Sequence, residues 1–134
     1  MCCVIYMGVD PLVTVHLIAG VALVALCLVV GAWGLARAGR MDAPDTARES
    51  RVFAHALQLS HTLVFAVLLL GAALLAGGRH AGDPLHARVY GPFMLVAVVA
   101  AYGYRTPRPA TNVRIFAGAA IVIALLGLRA IWTG

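Results

Sequence analysis

The sequence predicts an all-α integral membrane protein, an antiparallel four-transmembrane-helix bundle built from two duplicated helical hairpins. Three observations predict it. Of the 134 residues, 63% are hydrophobic and 11% charged, where water-soluble domains carry about 25% charged residues. The apolar residues gather into four runs, each near the ~20 residues that cross a bilayer as a helix. The arginines fall at the ends of those runs, where positive charge reaches water. The whole chain, residues 1–134, reads as a single transmembrane domain with spans at 12–35, 52–76, 85–104 and 113–132.

The first span is opened by Asp10-Pro11-Leu12 and ends near Trp33, an interfacial anchor. His16, Gly20, Cys27, Gly31 and Gly34 fall on one side of it. The plain reading is the small-residue packing seam of membrane bundles. A glycine one turn below a histidine also leaves room for a flat ligand. The connection that follows, Ala36 to Arg51, is polar and contains Pro44.

The second span carries the densest polar set. At ~100° per residue, Arg51, His55, Gln58 and Thr62 form one narrow stripe with His61 at its edge. Hydrocarbon cannot satisfy those groups, so the stripe is expected to face the bundle interior, a partner subunit or a ligand. His61 lies ~5 Å from the middle of the span, the deepest imidazole of the chain. Gly77 to Pro84 then forms a short turn.

The third span begins with His86, followed on the same face by Tyr90, Phe93 and Ala97, and Gly91-Pro92 is expected to kink it. Pro107 and Pro109 break the chain before the fourth span, since proline cannot continue a helix interior. The fourth span holds Arg129 ~10 Å outward of its centre, within reach of the surface by snorkelling, and closes on Trp132.

Short connections make neighbouring helices antiparallel. Arg37, Arg40, Arg48, Arg51, Arg105, Arg108 and Arg114 then share one side, and Arg79, Arg88 and Arg129 the other. The excess places the first and third loops in the cytoplasm and both termini outside a cell (inner) membrane. Two fragments recur in order: Asp10-Pro11-Leu12 with Asp83-Pro84-Leu85, and Arg51-Val52-Phe53-Ala54 with Arg114-Ile115-Phe116-Ala117. They suggest a parallel repeat of one hairpin, in which Gly118 and Ala124 stand where the first copy has His55 and His61.

Composition also excludes functions. All ten basic residues are arginine, which removes Schiff-base chemistry and the phosphate-gripping lysine of a P-loop. Nothing points to nucleic acid. Cys2, Cys3 and Cys27 form no metal motif, and Met7 stands as an alternative start to Met1. A serine–histidine–acid set and paired carboxylates are both missing, so catalysis on soluble substrates is not expected.

Depth groups His16, His86, Tyr90 and Arg129 in the outer half of the bundle, with Asp10 in reach to neutralise the arginine. The sharpest functional reading is an electron-transfer protein binding one haem b, with His16 and His86 as ligands to the iron, Gly20 admitting the ring and arginine meeting the propionates. His55 or His61 would supply an inner ligand, but no second inner histidine lies on another helix, so one haem is expected. This arrangement resembles the general plan of small membrane b-type cytochromes. A quinone is the second cofactor in view: His61, Gln58 and Thr62 could hydrogen-bond a carbonyl, with His55 relaying a proton. Two alternatives use the same features: a cofactor-free accessory or assembly subunit of a larger membrane complex, and a small-solute or metal transporter. Expected partners are the lipid bilayer and either a homo-oligomer or a larger complex.

Overall fold

A computed structural model describes residues 10–41, 43 and 46–134. Cys2, Cys3, Met7 and Pro44 lie outside the described residues. Every regular element among those described is helical: α1 (Pro11–Arg37), α2 (Ala47–Ala76), α3 (Gly91–Gly103) and α4 (Pro109–Thr133). A 3₁₀ turn, Ala38–Arg40, follows α1, and a π turn, His86–Tyr90, precedes α3. Three helices (α1, α2 and α4) are long and apolar enough to cross a membrane, consistent with a helical membrane protein.

The helix starts follow from capping chemistry. Asp10 accepts the Leu12 N–H at 2.9 Å and Pro11 takes the first helical position, where a missing N–H costs nothing. Asp83 repeats the contact, accepting the Leu85 N–H at 2.8 Å. Pro109 likewise starts α4, so this helix begins four residues before the expected 113. The prolines expected to break the chain include one that begins the next helix. The start of α2 lies five residues before the expected 52, because Ala47-Arg48-Glu49 are good helix formers although polar. At its other end α2 stops in a left-handed Gly78, φ +75°, with Arg79 N–H reaching back to the Leu74 carbonyl at 3.0 Å.

The third segment departs most from expectation. Pro92 has no N–H for the carbonyl one turn before it, and the preceding turn relaxes into π geometry. The wider turn changes the register. Tyr90, Met94, Val98 and Ala101 form the buried face, while Phe93 is 57% exposed. Of the expected face of His86, Tyr90, Phe93 and Ala97, Phe93 is therefore corrected to the outside, while Ala97 is half-buried against the core.

Helix α1 packs most extensively on α4 and next on α2; α3 lies against α4 and, over a shorter stretch, α2. Glycines set the α1–α4 distance. A Cβ on Gly31 would fall 2.5 Å from Ile121 Cδ1, and one on Gly34 would fall 2.7 Å from Ala117 Cβ. Most of the α1 glycine line is thus a packing seam. The core between the helices is apolar, with Leu23, Cys27, Val30, Val64, Ala117, Ile123 and Ala124 buried. Large apolar side chains also cover the outside, including Ile18, Leu69, Val99 and Leu125. A surface of that kind is stable in a hydrocarbon solvent and not in water.

Both ends are tied by polar contacts. At one end Arg37 grips Glu49 through two hydrogen bonds, 2.7 and 3.0 Å, and the Trp33 indole donates to the same carboxylate at 3.1 Å. At the other end Asp10 pairs with Arg79 and the Asp83 N–H donates to the Thr133 carbonyl at 3.3 Å. These contacts bring the start of α1 beside the end of α2, and the α2–α3 turn beside the end of α4.

Candidate histidine site at the Asp10 end

His16 lies in the second turn of α1 and His86 opens the π turn before α3. The two segments meet across the end of the molecule, with α2 and α4 on either side. Their imidazole centroids stand 6.4 Å apart at an interplanar angle of 62°. The Nδ1 atoms of both rings are buried and have no hydrogen-bond partner. His16 lies against the backbone of Val67 on α2.

The surroundings of the pair are small. A Cβ on Gly71 of α2 would sit 3.4 Å from His16 Cε1, and one on Gly134 would sit 2.8 Å from His86 Cε1. Gly20, one turn from His16, has nothing within 4 Å of where its Cβ would be. Tyr90 is buried and stacks edge-on against His86 at 6.2 Å. The sequence brought His16, His86, Gly20 and Tyr90 to this layer. It missed Gly71, whose relevance appears only once the face that α2 turns toward His16 is known.

Two metal–imidazole bonds of roughly 2 Å, plus the distance from each nitrogen to its ring centre, separate two centroids by roughly 6 Å. The pair already has that spacing. Its edge-on orientation needs a side-chain rotation to aim both lone pairs at one ion. Among the described residues no group of three or more His, Cys, Asp or Glu side chains could hold a metal.

Comparison with known protein families, curated proteins and solved structures finds no match.

Other sequence-predicted positions fall elsewhere. Arg129 is exposed, and the carboxylate expected to neutralise it, Asp10, is paired with Arg79. A one-turn error in depth explains this: Asp10 caps the very start of α1, level with the turn after α2. The α2 stripe does not face the interior of the chain. Arg51, His55, Gln58 and Thr62 are all exposed, while His61 is 7% exposed and faces inward. Of the three environments expected for the stripe, the interior is excluded.

His61 lies near the middle of α2, its Nδ1 3.4 Å from the Tyr102 hydroxyl, with Phe116 completing an aromatic cluster. His61 is buried, whereas Gln58 and Thr62 are exposed. Thr62 gives its hydroxyl to the Gln58 backbone carbonyl at 3.0 Å. A cavity of about 620 Å³ lies at the opposite end beside Trp33, Arg37, Arg40, Arg48 and Glu49, far along α1 from the histidine pair.

Proposed function

We propose that the chain crosses a cell (inner) membrane four times, with both termini outside, and carries electrons through one haem b ligated by His16 and His86. One observation supports this above all: two imidazoles from different segments, each with a buried and unpartnered Nδ1, stand with ring centroids 6.4 Å apart, near the spacing of two ligands on one metal. An unpaired nitrogen in an apolar site costs about 1–3 kcal/mol, and a bond to iron removes that cost. Gly20 has open space where a Cβ would lie, room for the edge of a flat macrocycle, while Gly71 and Gly134 admit the two imidazoles themselves. Arg79, Arg88 and Arg129 belong to the same end and provide positive charge for propionates.

In this reading haem supplies the one-electron chemistry. The chain would orient the two imidazoles and exclude water with apolar walls. The third crossing is made by the π turn and α3 together, 18 residues from His86 to Gly103, or ~27 Å at 1.5 Å per residue. The two hairpins are related by duplication, and matching caps at Asp10 and Asp83 and matching buried rings at Phe53 and Phe116 support that descent.

The test is the absorption spectrum of the purified protein, with haemin added and before and after dithionite. A Soret band and a sharp α band on reduction are expected, lost in both His16→Ala and His86→Ala and kept in His61→Ala. A folded protein that stays colourless with haemin overturns the proposal.

A further inference from the structure

The outward face of α2 is polar where a membrane helix should be apolar. Arg51, His55, Gln58, Thr62, Phe65 and Leu69 follow one another at spacings of four and three residues, and all six are exposed. That alternation is the spacing of the seam positions of a coiled coil. Its first four members are polar and its last two apolar, with Phe65 at 49% and Leu69 at 71% exposure. Gln58 lies ~9 Å from the middle of the crossing that begins after Arg51, inside the hydrocarbon on the membrane reading. The Gln58 carboxamide has no hydrogen-bond partner within the described chain, and lipid tails offer none.

We propose that this face is the interface of a homodimer, with a second copy of the chain seated on it about a twofold axis parallel to the membrane normal. The chemistry selects a second copy. A carboxamide carries both donors and acceptors, and a neutral imidazole carries one of each, so each satisfies its own kind across a twofold. Two copies inserted in the same direction bring Gln58 to Gln58, His55 to His55, Phe65 to Phe65 and Leu69 to Leu69. Polar layers pair with polar ones and apolar with apolar. Arg51 begins the stripe at the membrane–water boundary, where the two guanidinium groups splay into water and are screened. The opposite face of α2, with Phe53, Leu57, Ser60, His61 and Val64, is already buried within the chain, so dimerisation leaves the intramolecular packing untouched. The inference rests on the membrane reading and is independent of any metal.

The test measures energy transfer between full-length chains in phosphatidylcholine–phosphatidylglycerol vesicles as lipid is added. The lack of lysine confines amine-reactive dyes to the α-amino group. Dimers that dissociate on dilution are expected, with Gln58→Leu weakening association about tenfold, the effect of losing interhelical hydrogen bonds in lipid. Leu125→Ala, on an exposed face of α4, should leave it unchanged. Both Gln58 and Leu125 are exposed in the single chain, so neither change threatens its fold. Chains that stay monomeric at every dilution, or dimers indifferent to Gln58→Leu, overturn the proposal.

Discussion

Three α1 glycines that look alike in the sequence do different things. Gly31 and Gly34 are contact points: at Gly34 an added Cβ would lie 2.7 Å from both Ala117 Cβ and Phe53 Cε2. Neither neighbour is the free end of a flexible chain, so the helices must separate. Gly34→Val is therefore expected to destabilise by roughly 1–3 kcal/mol, measured as a lower thermal midpoint in detergent. Gly20 faces open space, and in the haem-free protein Gly20→Ala should instead raise stability by up to about 1 kcal/mol, the helix-propensity difference. Equal losses at both positions would refute this division. Spacing alone places all these residues on one side of α1. Which of them touch a neighbour depends on where α4 crosses, and that is a property of two helices together.

At the scale of the element, the ends of the helices were more legible than their faces. Asp-Pro-Leu announces a cap by local chemistry, and both copies use it. Asp10 also pairs with Arg79, which separates its two roles by substitution. Asp10→Asn keeps an oxygen for the Leu12 N–H and loses the ion pair; the pair is partly exposed, and less than about 1 kcal/mol should follow. Asp10→Ala loses the cap as well, adding about 1 kcal/mol. Equal thermal shifts for the two variants would show that the cap contributes nothing. The face of the third segment was not legible, because the π turn before Pro92 moves the register and exchanges Phe93 for Met94 in the core. Nor was the outward turn of the α2 stripe. Polarity says only that Gln58 needs a partner, and whether that partner lies inside or outside the chain depends on where α1 and α3 pack. His16 and His86 were brought to one layer by depth alone, since rise per residue counts the same from either end of a helix.

At the scale of the whole molecule, the number of crossings decides how every polar group is placed. Three helices qualify by length and hydropathy; the π turn divides the other segment and leaves α3 with 13 residues. If that segment spans, the turn at His80 and the turn at Arg105 lie on opposite sides of the membrane, and α1 and α3 enter from the same side. The histidine pair then sits at one depth because both its helices have just entered. If the segment does not span, the two turns share a side and the His16–His86 contact loses its place within a crossing bundle. Single cysteines separate these cases. His80→Cys and Arg105→Cys, each in a chain with Cys2 and Cys3 changed to serine and Cys27 left buried, would be treated with a membrane-impermeant maleimide in intact cells and after permeabilisation. The arginine excess on the loops at 37–51 and 105–114 makes labelling at 80 from outside, and at 105 only after permeabilisation, the expected result. Labelling of both from the same side would remove the third crossing, and with it the parallel entry of the two hairpins that places His16 opposite His86.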